Sequence, residues 1–136
     1  MTAPTGQRRA ALTARQDHIM FDIAILLARL LMGGAFIVWG TMKLRGGEAE
    51  LVPVLKAMHM PDAKGLAYLV GLCEFLGGVG VVLGFPLVLF SLALGLWCLV
   101  TALVAHRKDI NQLRAQLTMC GGFFALAAAG PGRIAL

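Results

Sequence analysis

Charge is scarce in this sequence. Only 14% of its 136 residues are Asp, Glu, Lys or Arg, against about 25% in an ordinary soluble domain. With 59% hydrophobic residues and a mean hydropathy of +0.81, that scarcity excludes a soluble enzyme, a disordered chain and a disulfide-stapled secreted module. Paired cysteines are missing too. Cys73, Cys98 and Cys120 each lie in a different apolar run and no CxxC occurs, so a dithiol redox centre and a zinc knuckle lack their signature. A lone cysteine in such a run reads as a small apolar filler. No span carries His, Asp or Glu at helical i, i+3 or i+4 spacing, so no metal site is expected. A haem held within the chain would need two histidines at matching depth, but His18 and His106 fall on opposite membrane sides and His59 in a loop. The formal net charge is +5, yet the basic residues flank apolar runs without an aromatic-basic stripe, which argues for lipid headgroups and against nucleic acid.

What is present is a series of long apolar runs. At about 20 residues per span, four spans take up roughly 80 residues and leave short loops. Residues 1–20 form a polar N-terminal tail without the apolar core and cleavage site of a signal peptide; residues 10–16 suit a short interfacial helix. Apolar runs predict spans near 21–44, 66–84, 87–106 and 113–129. Between the first two, residues 49–60 carry Leu51, Val52, Val54, Leu55, Met58 and Met60 at amphipathic spacing, bracketed by Pro53 and Pro61. That pattern predicts a short surface helix. The Phe85-Pro86 link is so tight that its flanking helices must be antiparallel neighbours. The expected fold is all-α, an integral membrane four-helix bundle of up-down-up-down topology over residues 21–136, with an interfacial helix between spans one and two. The two polar loops and their flanks hold more Lys and Arg than the tail and C-terminus, which places the loops in the cytoplasm.

Two ionisable groups sit well inside spans, Arg29 and Glu74. Each costs about 2.5–3.5 kcal/mol at mid-membrane on insertion scales, so both should face the bundle interior. Counted from the span starts, their heights differ by roughly 6 Å, which predicts an Arg29–Glu74 interaction, direct or through one water. The pair reads equally as a buried ion pair fixing helix register and as part of a polar cavity. A second cluster gathers where spans one and three end: Trp39, Lys43, Arg45, His59, His106, Arg107, Asn111, Gln112 and Arg114. Donors at interfacial depth beside an apolar groove suit a quinone headgroup, with two carbonyls to bind and a tail needing hydrocarbon. They suit a phospholipid headgroup equally. His106 is the candidate catalytic residue, since a histidine exchanges protons near neutral pH, with Glu74 as a second proton-handling group. Arg29, Lys43 and Trp39 are the candidate quinone or lipid contacts. Gly77, Gly78, Gly80 and Gly84, with the Gly33-Gly34 and Gly121-Gly122 pairs, read as close-packing faces for helices rather than as a phosphate loop.

The order of these residues resembles the DoxX family of small bacterial membrane proteins. LLARLLMGGAFIVWGTMKL resembles its opening pattern through Arg29, Gly34, Phe36, Gly40 and Lys43. MPDAKGLAYLVGLCEFLGGVGVVLG resembles its second-span signature through Pro61, Ala67, Glu74, Gly77, Gly78 and Gly84. AHRKDINQL and the closing AAAGPGR resemble two further segments, so the likeness runs from about Ile23 to Arg133. Pro86-Leu87 replaces a Thr-Arg frequent in the family, which removes one candidate charge from that membrane face. The resemblance implies a multi-pass bacterial inner-membrane protein of four antiparallel helices. It also implies a subunit of a larger membrane complex in quinone-linked oxidoreduction, with quinone as the non-covalent cofactor. The alternative is a non-catalytic accessory subunit that binds lipid and partner subunits through its glycine-rich helix faces and N-terminal tail. Neither role makes the chain a self-sufficient enzyme.

Overall fold

A computed structural model describes residues 4–46, 49 and 51–135. The parts of the expectations that fall on residues 1–3, 47, 48, 50 and 136 lie outside the described residues. The order is α1 (Thr5–Leu44), α2 (Val52–Ala57), α3 (Ala63–Leu83), α4 (Leu87–Val104) and α5 (Ile110–Ala129). Each break has a local cause. Asp62 caps α3 by accepting from the Gly65 N–H, and Asp109 caps α5 by accepting from Asn111 and Gln112 N–H. Gly84, at φ +83°, closes α3 in the left-handed region that favours glycine. Pro86 then blocks any continuation of that helix.

α1 corrects the expected tail. Residues 5–20 are exposed and helical, but they continue without interruption into the first span instead of forming a separate surface helix. The alanine-rich stretch offers no proline or glycine between Gly6 and Gly33 to stop the helix. At 40 residues, α1 is about 60 Å long, twice a bilayer's hydrocarbon thickness of about 30 Å. α2 is shorter than the segment from which it was expected, and it contains no buried residue.

The four long helices close a ring, α1 on α3, α3 on α4, α4 on α5 and α5 back on α1, with α2 resting on α3. α1 and α3 run antiparallel at glycine–glycine distance: a Cβ added at Gly33 would lie 2.7 Å from the Gly78 carbonyl oxygen, and one at Gly40 2.6 Å from that of Gly71. Both helices thus bring a glycine to the contact every seven residues, so backbones meet where side chains would otherwise hold them apart. Gly77 and Gly80 instead receive Leu94 and Phe90 of α4. The core between the helices includes Phe36, Val81, Leu94, Cys98, Phe123 and Leu126, with Phe36 and Phe123 edge-to-face at 5.2 Å.

Among the described residues, α1, α3 and α4 are long and apolar enough to cross a membrane. α5 falls short of that apolarity, because its first two turns carry Asn111, Gln112, Arg114 and Gln116. Leucines of the three apolar helices, including Leu31, Leu69, Leu89 and Leu96, point outward, as lipid-facing side chains do.

Candidate functional site

The two intramembrane charges do not meet. The Gly33–Gly78 and Gly40–Gly71 contacts fix a register in which Arg29 stands level with the end of α3. Glu74 stands level with residue 37 of α1, about 12 Å further along the bundle. The expected Arg29–Glu74 pair is therefore replaced by two separate arrangements at opposite ends.

Arg29 is 1% exposed, and backbone carbonyls take up its guanidinium. Nε donates to the Val81 oxygen at 3.1 Å and Nη2 to that of Val82 at 2.5 Å. Nη1 donates to Pro131 at 3.1 Å and to Ile134 at 2.5 Å. Val81 and Val82 are in the last turn of α3, where carbonyls lack helical partners. The guanidinium thus caps α3 from the side and ties down the C-terminal segment, which is fastened again where the Arg133 N–H donates to Asp22 Oδ1 at 3.0 Å. Gly84 makes room for it, since a Cβ there would stand 2.5 Å from Nη2. Arg29 is not among the residues around the cavity described next.

At the other end Glu74, 4% exposed, is held through both carboxylate oxygens. Lys43 Nζ donates to Oε2 in a short ion pair, and Trp97 Nε1 donates to Oε1 at 2.7 Å. Three helices are joined at this carboxylate. Gly71, one turn before Glu74 on the same face of α3, lets the Lys43 stem cross: a Cβ at Gly71 would approach Lys43 Cβ to 2.8 Å. The network borders a cavity of about 740 Å³, within the size range of small-molecule sites. Phe36, Trp39 and Trp97 supply its aromatic wall, Thr101, Gln112 and Gln116 a polar one, and His106 and Asp109 also border it. Ala49, Leu51 and Val54, from the connection that includes α2, border it as well.

Trp39, Lys43, Glu74 and His106 therefore share one cavity, together with Gln112 of the anticipated cluster. Arg45, His59, Arg107, Asn111 and Arg114 are not among the lining residues. Among the described residues no group of three His, Cys, Asp or Glu side chains is placed to hold a metal. Trp97 and Gln116 were not anticipated. Trp97 carried a readable signal: an indole in the middle of an apolar span must find a partner for its N–H, and an intramembrane carboxylate is the natural acceptor.

Residues 24–107 match the DoxX family model. The chain belongs to the DoxX family. Inner membrane protein YqjF of Escherichia coli (strain K12) is 35% identical over 116 residues, covering 82% of this chain and 87% of that protein. No solved structure matches the chain. This DoxX protein is thus a multi-pass inner-membrane protein, in agreement with its three apolar helices. The matched segment contains Trp39, Lys43, Glu74, Trp97 and His106 but stops before α5, whose Gln112 and Gln116 complete the cavity.

Proposed function

We propose that the cavity binds the headgroup of a quinone and that the chain serves a larger membrane complex in quinone-linked oxidoreduction. One observation carries this reading: a part-buried Lys43–Glu74–Trp97 network opens onto an aromatic-walled cavity with a histidine at its border. Phe36, Trp39 and Trp97 offer faces to a planar ring. Lys43 offers N–H donors to a carbonyl oxygen, and His106 and Glu74 are the groups that hold or pass a proton. A quinone bound there carries two electrons and two protons as its quinol, with a partner subunit supplying the electrons. Extraction of purified protein should yield bound quinone. Replacing His106 with leucine should lower quinone-dependent turnover of the complex at least tenfold, a loss on the scale of general acid–base catalysis, while its subunits stay together. Unchanged turnover and no extracted quinone would refute the reading.

The second reading, an accessory subunit bracing the complex, is favoured by a different observation. Gly34 and Gly121 have no neighbour within 4 Å of a built Cβ, so they leave open faces where a partner helix can approach closely. Gly80 and Gly84, the GxxxG pair in the sequence, are already occupied by Phe90 and Arg29 of this chain. In this reading Gly34→Leu or Gly121→Leu should release partner subunits from a chain that still folds, and intact assembly in both variants would count against it.

A further inference from the structure

The cavity has a charge balance that bears on which ligand it takes, given the quinone reading on which this inference rests. Lys43 and Glu74 neutralise one another as a pair. Asp109 also borders the cavity, but its carboxylate is engaged by the first N–H groups of α5. His106 is the remaining ionisable side chain among the described residues lining the cavity. An anion entering here therefore meets no unbalanced Lys or Arg, and it must come close to the nearly buried Glu74 carboxylate. A neutral oxygen acceptor meets no such opposition. An ammonium has three N–H groups, and among the described residues the acceptor for Lys43 Nζ is Glu74 Oε2.

We infer that the Lys43–Glu74–Trp97 network is a selectivity device, admitting an uncharged ring with a carbonyl oxygen and rejecting the anionic headgroups of phospholipids. Lys43 makes the contact to the ligand, and Glu74 cancels its charge. Trp97 is a positioning residue: its N–H holds Oε1, so the carboxylate is kept turned toward Lys43. Exclusion of anions matters in a membrane, where phospholipid vastly outnumbers any quinone and would otherwise fill an amphipathic cavity.

The test uses the full chain in neutral phosphatidylcholine nanodiscs, titrated calorimetrically with a short-tailed benzoquinone and, separately, with dodecyl phosphate. The wild type should prefer the benzoquinone. Glu74→Gln keeps the shape but unbalances Lys43. It should strengthen dodecyl phosphate binding about tenfold, the effect of one charge-assisted hydrogen bond, while benzoquinone, still contacted by Lys43, binds within about twofold of the wild type. The doubly neutral Lys43→Met/Glu74→Gln chain should lose benzoquinone affinity without gaining phosphate affinity. A purely structural Glu74 would produce no gain for the anion in any variant. A second measurement needs no variant: excess dodecyl phosphate should fail to displace benzoquinone from the wild type. Displacement, or an unchanged preference in Glu74→Gln, would overturn the selectivity while leaving the quinone reading intact. Absence of benzoquinone binding to the wild type would overturn both.

Discussion

The two ends of the bundle handle a buried charge in opposite ways. At one end Arg29 donates to the carbonyls of Val81, Val82, Pro131 and Ile134, and the C-terminal segment is tied down against it. At the other, Lys43 and Glu74 balance each other at the border of a cavity. Both depend on a glycine, one closing α3 and one within it: Gly84 gives room to the guanidinium, and Gly71 lets the lysine stem cross. The difference teaches that depth in a membrane span does not by itself mark a functional residue. An intramembrane charge is a functional candidate by default, but the acceptors around it decide. A guanidinium used up by main-chain oxygens stabilises the fold, whereas an ion pair bordering a cavity is available to a ligand.

The comparison is most exposed to failure at Arg29. Arg29→Leu leaves the α3 terminus and the C-terminal segment without their donor. It should destabilise the protein by about 3–5 kcal/mol, the range for breaking a buried charged network. Denaturant titration in detergent micelles checks it, and a loss below about 1 kcal/mol would mean that Arg29 is not structural. Gly40→Leu comes next. Its side chain would press into the backbone of Gly71 and Phe75, and overpacking of that kind costs about 1–3 kcal/mol. The same substitution at Gly34, in open space, should stay within about 0.5 kcal/mol. Glu74→Gln should cost only about 1 kcal/mol, because Lys43 is 23% exposed and can turn into the cavity. The smallest effect is expected for Asp22→Asn, which keeps an oxygen for the Arg133 N–H at an exposed site and should shift stability by less than about 0.5 kcal/mol.

Most of the helical framework was legible in the sequence because punctuation and apolarity coincide. Pro61-Asp62, Gly84-Phe85-Pro86, Asp109 and Gly130-Pro131 stand at the observed breaks. The extension of α1 to Thr5 was not legible, since a polar alanine-rich stretch gives no apolar periodicity to follow. Trp39, Lys43, Glu74 and His106 could be named from type and depth. The partner of Glu74 could not. Its height was reckoned from a span start at residue 66, whereas α3 begins at Ala63, and the decisive register comes from Gly33 on Gly78 and Gly40 on Gly71. Lys43 is legible as a quinone or lipid contact but not as the partner of Glu74, because its reach across Gly71 exists only once α1 and α3 are packed. Spacing within one helix does not carry that information.

The central claim is that Arg29 serves the fold and the Lys43–Glu74 pair serves a ligand. Both tryptophans of the chain border the cavity, so quenching of their fluorescence by a short-tailed benzoquinone reports binding directly. The decisive measurement is that titration on folded Arg29→Lys protein beside folded Lys43→Met protein. Arg29→Lys should bind with wild-type affinity despite reduced stability, and Lys43→Met should bind about tenfold more weakly, the loss of one charge-assisted contact. Weakened binding in Arg29→Lys together with wild-type affinity in Lys43→Met would contradict the claim.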